Sequence, residues 1–353
     1  MPAERMDNGT FSLLMSTLLW ALVFQRAETQ GMTLLDLIVT VNQWVKDPYL
    51  HDLAYEIGRT SRVIGSKRHA EVRKYIVDEM GKAGFKVTVE SHNEPVPQHS
   101  ELGHKTQIQF HNIIGDSDPT GLKQTIVLAC HYDSKVFINK PRFTGAMDSA
   151  VPCAMQLFIG RKLLPLIANS RLALKLIFFD GEEAIKDWTD TDSLYGSRYM
   201  ANLWGNKPHS SDPSKTKNDQ IDLFILLDLI GAFMGCSGKT SFHDVKRSTE
   251  HHSQALADME KLWIAQNLLD GKNRCRCPTC PVYFIPTGDQ AIDDDHKPFQ
   301  KRGVPILHLI GTPFPPNWHT DFDNIDYINM DDVKNIVRIL TTYLAQQFLK
   351  ETL

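Results

Sequence analysis

"LALKLIFFDGEEA", residues 172–184, decides how the chain is read. Leu172 to Phe179 are apolar apart from Lys175, with none of the alternation that marks a strand wet on one face. Such a run reads as a strand buried on both faces, the pattern of a parallel sheet covered by helices. Asp180, Glu182 and Glu183 follow at once. Adjacent carboxylates repel each other and resist burial. They are either a solvated loop or the reactive end of a strand, because ligands of open α/β sheets bind beyond the carboxyl ends of the strands.

The same grammar recurs along the chain. "TIVLAC" (125–130) leads into His131 and Asp133, "LFILL" (223–227) into Asp228, and "VPILHLI" (304–310) into a loop with Trp318 and His319. Helical patterns lie between these runs, over 149–164, near 193–203, near 254–269 and over 331–349. Residues 28–65 read as a helical lead-in, and the next helix sets Val72, Tyr75, Ile76 and Met80 on one face. "FKVTVES" (85–91) reads as a strand and 206–219 as a surface loop. The alternation predicts a single α/β domain with a central, mostly parallel twisted sheet flanked by helices.

The 353 residues, 42% hydrophobic and 23% charged, are ordinary globular material. A net charge of -4 without a dense Lys/Arg block gives no electrostatic reason for a nucleic-acid partner. Residues 11–24 carry no charge and have signal-peptide length, so 1–27 reads as a signal peptide and 28–353 as the functional domain. The alternative is a retained anchor, which would bring a membrane into play, although a spanning helix needs about 20 apolar residues. Secretion or residence in the secretory lumen makes disulfides admissible. Of six cysteines, Cys130 and Cys153 form the expected pair, since one ends a strand and the other opens the following helix. Cys236, Cys275, Cys277 and Cys280 stay unassigned; "CRCPTC" lacks the second half of a zinc knuckle and reads as a local disulfide loop. The Asn-x-Thr sequon at Asn8 falls inside the expected signal.

A catalytic zinc takes three protein ligands and keeps a position open. Asp148 in "GAMDSAVP", one of Glu182 or Glu183, and His319 in "NWHTDFDN" fit that need. Singly, Asp148 reads as a helix cap, the glutamates as loop carboxylates and His319 as a packed ring. Together they suggest a metal that takes one glutamate and leaves the other to move protons.

"ACHYDSK", "GAMDSAVPCAM", "LIFFDGEEA", "DSLYGSRYMA", "LLDLIGA", "DDHKPF", "RGVPILHLI" and "TPFPPNWHT" together resemble the animal-type glutaminyl-peptide cyclotransferases, from about residue 55 to the C-terminus. The resemblance implies a zinc-exopeptidase-like fold with one zinc per chain. It implies conversion of N-terminal Gln, more slowly Glu, of peptides and proteins into pyroglutamate. By motif, it gives zinc to Asp148, Glu183 and His319 and makes Glu182 the general acid/base. Asp228 and Asp294 become acidic partners at the reacting nitrogen, and Trp188, Phe314 and Trp318 the pocket wall. The Cys130–Cys153 bridge is likewise a family feature, and the chain is expected to be a monomer.

Two other readings use the same residues. A two-zinc aminopeptidase could be built from His131, Asp148, Glu183, Asp228 and His319, with Asp148 bridging. A secreted binding protein on this fold would have lost the chemistry. The chain also departs from the family pattern. Asp293 replaces Gln, so three consecutive carboxylates should raise the proton affinity of at least one of them. The stretch 274–282 is unusual, and Gly311 stands where proline is expected, a change read here as one of loop stiffness.

Overall fold

A computed structural model describes residues 32–232, 255, 257–262, 265–266, 292–312 and 314–351, with the backbone of 241–242. The expected signal segment, Cys236, Cys275, Cys277, Cys280 and part of the helix expected near 254–269 lie outside these residues. Among the described residues no helix is long and apolar enough to cross a membrane.

Side-chain caps start the first and third helices, whereas the second has none. Helix α1 (Leu34–Trp44) opens with a reciprocal box in which the Thr33 hydroxyl accepts from the Asp36 amide and the Asp36 carboxylate accepts from Thr33 N. Helix α2 spans Tyr49–Gly58. Helix α3 (Lys67–Ala83) starts at Ser66, whose side chain accepts from His69 N, and stops at Gly84 with φ of 102°.

The remaining elements, in chain order, are β1 (Lys86–Pro95), β2 (Gln107–Asp116), β3 (Gln124–His131), α4 (Val151–Leu163), β4 (Leu172–Phe179), α5 (Tyr195–Gly205), β5 (Ile221–Asp228), β6 (Ser241–Phe242), α6 (Lys297–Gln300), β7 (Ile306–Thr312) and α7 (Met330–Lys350). They form one sheet in the order β1-β2-β4-β3-β5-β7-β6. The centre, β4-β3-β5-β7, is parallel as expected. Both flanks are antiparallel, through the pairings β1·β2, β2·β4 and β6·β7. Strand β2 escaped the sequence reading because its first half alternates, with Ile108 and Phe110 buried between exposed Gln107 and Gln109.

The central strands lack alternation because both of their faces are covered. On β4, Leu174, Leu176 and Phe178 enter the core shared with α1, α2, α4 and α7. Ile177 and Phe179 enter the opposite core against Met200, Trp204 and Phe299. Gly311 belongs to β7, not to a loop, and a Cβ there would lie 2.9 Å from the Leu229 carbonyl oxygen. Close backbone approach, rather than loop stiffness, is therefore what glycine serves at that position.

Cys130 and Cys153 are bonded, with Cα atoms 5.7 Å apart. The bridge ties the end of β3 to the first turn of α4 across 23 residues. Replacing Cys153 by Ala, with Cys130 changed to Ser, should lower unfolding free energy by about 2–4 kcal/mol. Denaturant unfolding under non-reducing conditions checks this, and added reductant should then change the variant little.

Candidate active site

The adjacent glutamates are held by a turn that requires glycine at position 181. After Phe179 the chain reverses at Gly181, whose φ is +70° and whose missing Cβ would lie 2.3 Å from Phe110 Cε1. The amides of Glu182 and Glu183 then donate to the two oxygens of Asp133, at 3.2 Å each. Asp133 follows the neighbouring strand β3, so one carboxylate clamps the next strand's reactive turn. Asp180 faces elsewhere, bonded to His69 Nε2 at 2.8 Å and to the His111 amide at 2.7 Å, and plays a structural part.

Asp148, Glu183 and His319 come together as expected, with ligand atoms within 4.8 Å of one another. His319 Nε2 lies 3.1 Å from Glu183 Oε1 and 3.2 Å from Asp148 Oδ2. Asp148 is not a helix cap: it lies in an irregular turn, Ala146–Ala150, ahead of α4, whose N-terminus has no side-chain cap. Fully buried Arg62 holds this turn to the end of β3 by donating to the carbonyls of Tyr132 (2.9 Å), Thr144 (2.7 Å) and Gly145 (2.8 Å). The Lys135 ammonium lies 3.2 Å from Glu183 Oε2 and also donates to the Ala184 carbonyl. Arg62 gave no signal in the sequence; Lys135 sits inside "ACHYDSK" but was not singled out.

A second group shares Asp148. His131 Nε2 is 3.0 Å from Asp148 Oδ1 and 3.5 Å from Asp228 Oδ1, and Asp228 also accepts from the Ser149 hydroxyl at 2.5 Å. Asp294 bonds His308 Nε2 at 2.8 Å. The three consecutive acids take different roles. Asp293 is exposed and ion-paired with Lys297, whereas Asp295 is the buried group whose proton affinity rises, through burial and then the charge of Asp294.

The backbone is strained around these groups. Leu194, Leu229 and His319 have φ of 53°, 49° and 56°, a left-handed region that costs a side-chain-bearing residue about 1–2 kcal/mol. Leu194 donates its amide to the Glu182 carbonyl at 2.8 Å, and Leu229 follows Asp228.

Comparison with known proteins gives this geometry a family. Residues 112–344 match the family model described as peptidase family M28. The chain is 38% identical over 288 residues to a Drosophila melanogaster protein named glutaminyl-peptide cyclotransferase, covering 79% of this chain and 75% of that one. It is 39% identical over 291 residues to a Mus musculus glutaminyl-peptide cyclotransferase-like protein, covering 80% and 71%. The chain belongs to the glutaminyl-peptide cyclotransferases. The crystal structure of Macrostomum lignano glutaminyl cyclase superposes with a TM-score of 0.74 at 33% identity, over 88% of this chain and 92% of that one.

Within this cyclotransferase fold the aromatic residues divide. Trp318 stacks on His319 with ring centres 4.1 Å apart and donates its indole N–H to Asp148 Oδ2 at 3.1 Å. Phe314, 38% exposed, meets Trp318 edge-on, and Phe137, absent from the expected wall, meets His319 edge-on at 5.5 Å. Trp188 is 44% exposed and faces a neighbouring cleft.

Electrostatics separate the two glutamates' surroundings. Burial pushes the Glu182 carboxyl well up; His131 opposes this, while Asp294, Glu183 and Asp295 add to it. Burial also raises Asp228, to about 6, with Asp294 and Asp148 contributing against His131. For His319, burial disfavours the charged ring, but Asp148 and Glu183 outweigh it and raise the ring to about 9. Asp148 and Glu183 thus favour positive charge where the three donors converge, as a cation cradle should. Two carboxylate oxygens and one imidazole nitrogen suit a divalent metal of zinc's type.

Gly181→Ala should cost about 2–5 kcal/mol, combining left-handed strain with overpacking against Phe110. The unfolding midpoint measures it. Phe110→Ala in the same chain should recover none of the part due to strain.

Proposed function

We propose that the chain is a zinc-dependent glutaminyl-peptide cyclotransferase acting on N-terminal Gln, and more slowly Glu, of peptides and proteins. The observation that carries this reading is the pairing of a three-donor cradle, Asp148, Glu183 and His319, with a buried, proton-avid Glu182 beside it. Bound there, zinc supplies Lewis acidity toward the substrate's γ-carbonyl oxygen.

The substrate's α-amine attacks its own side-chain carbonyl carbon, forming one C–N bond and breaking the amide C–N bond to release ammonia. Glu182 takes the proton from the attacking amine and passes it to the departing nitrogen. Burial raises its proton affinity, which favours taking the amine's proton and holding it for the departing nitrogen. Asp228, fixed by Ser149, and Asp294, fixed by His308, position the nitrogen and reinforce Glu182. Phe314 and Trp318 confine the folded-back side chain, and such alignment supplies much of the rate, since intramolecular attack reaches effective molarities of about 10⁵–10⁸ M. The oxidised Cys130–Cys153 pair supports a secretory location, with residues 1–27 as signal.

The two-metal aminopeptidase is the second reading, favoured by the group His131, Asp148 and Asp228. Burial works against a charged His131, yet Asp133, Asp148 and Asp228 together push its affinity for a proton well up. A protonated His131, 3.0 Å from Asp148 and 3.5 Å from Asp228, would supply the positive charge that a second metal would bring. One zinc per purified chain and ammonia from a Gln-initiated peptide support the cyclotransferase; two metals and free amino acids support the peptidase.

Glu182→Gln should lower kcat by about 10²–10⁴-fold while zinc content stays at one per chain. Turnover within threefold of the parent would remove Glu182 from its role. Zinc affinity of the stripped protein should rise with pH and level off near 9, because the His319 proton must leave before the ring can ligate. Below that value each pH unit should weaken binding about tenfold through this group, as read by chelator competition.

A further inference from the structure

Beside the site lies a cationic cleft that the reaction as described does not use. It encloses about 310 Å³ between the start of α5 and α6, lined by Trp188, Arg198, Lys297, Lys301, Arg302 and Asp293. Its wall is linked to the reaction centre through the backbone. Leu194 on its wall is the residue that donates to the Glu182 carbonyl, and Asp293 immediately precedes Asp294. An extended chain advances about 3.3–3.6 Å per residue, so the second to fourth residues of a peptide anchored at Glu182 extend roughly 3–11 Å past the first, the range in which a wall bonded to the site would be met.

Its charges do not cancel. Lys297 is paired with Asp293, and Arg198 with Glu94 at 3.1 Å. Among the described residues Arg302 is held by neutral acceptors, the Pro298 carbonyl at 3.0 Å and Asn202 Oδ1 at 3.2 Å, and no carboxylate pairs with it. Lys301 is exposed and adds a second cation. Asp190 is the acid on the wall that opposes them. The remaining balance is positive, with a guanidinium whose planar fork suits a carboxylate.

We propose that this cleft is a subsite for an acidic side chain at the second to fourth position of the substrate peptide, with Lys301 and Arg302 setting the preference. The proposal rests on the cyclotransferase reading and names the substrates within it. Exposed ion pairs are individually weak, so two cations acting on one carboxylate should favour acidic over neutral peptides on the order of three- to tenfold in kcat/KM, and mainly through KM. The preference should fade at high salt.

The test compares Gln-initiated peptides carrying Glu or Ala at positions two to four, on the full chain and on Lys301→Glu. In the parent the Glu series should be the better substrate; Lys301→Glu should abolish or invert that order and leave the Ala series unchanged. Equal kcat/KM for the two series, or an acidic preference that survives Lys301→Glu, overturns the proposal. A third arm adds inorganic phosphate to the Ala series. If phosphate alone alters turnover through Lys301, the cleft is a site for free anions and the subsite is refuted. Absence of ammonia from either series would refute the cyclotransferase reading itself. Calorimetric binding of the corresponding pyroglutamyl peptides judges the cleft separately from turnover: tighter binding of the acidic product, lost in Lys301→Glu, supports the subsite, and equal binding overturns it.

Discussion

The structure turns on a carboxylate that does no chemistry. Asp133 accepts the amides of both Glu182 and Glu183 and thereby fixes the direction of two side chains that would otherwise repel each other into solvent. Buried backbone amides need partners, and a single ionised acceptor satisfies two of them with charge-assisted bonds. Burial raises the Asp133 carboxyl's proton affinity, but His131, His69 and the Glu182 amide bring the balance below the ordinary value, so it stays ionised. Everything at the strand ends is arranged around that fixed point.

From it the site divides into two connected halves. Glu183 turns toward His319 and Asp148 in the cation cradle, with Lys135 on its other oxygen. Glu182 is buried in the field of Asp294 and Asp295, which with burial raise its affinity for a proton against the opposing His131. Neighbouring residues in sequence thus acquire opposite electrostatic surroundings within one turn, which is the physical answer to why two charges stand side by side at a strand end. Arg62 completes the frame from beneath by binding only carbonyl oxygens, so it locks the Asp148 turn without drawing on the site's carboxylates.

Much of this was legible in the sequence, and for definite reasons. Strands β3, β4, β5 and β7 announce themselves because both faces are buried and, Lys175 and His308 aside, their apolar runs continue until the reactive residue arrives. Strand β2 was hidden by its alternation and by Gln and His at exposed or half-buried positions. Asp148, His319 and one of the two glutamates were readable as a set because their residue types match a cation, while the choice of Glu183 came only with the family resemblance. Arg62 was not, since an arginine serving only backbone carbonyls leaves no pattern in the chain. Trp188 was expected in the pocket wall with Phe314 and Trp318, and the coordinates show it lining the cleft beside Arg198 and Lys297.

The left-handed residues Leu194, Leu229 and His319 carry a further meaning for how the chain tolerates change. Glycine would sit in any of those conformations without strain, yet Leu194 and Leu229 are buried and contribute packing that glycine lacks. The molecule therefore keeps its reactive corner in a geometry its own backbone resists, held by surrounding contacts. Variants selected for thermal robustness alone would drift toward relaxing those corners, and the sharper alignment would be the first property to blur.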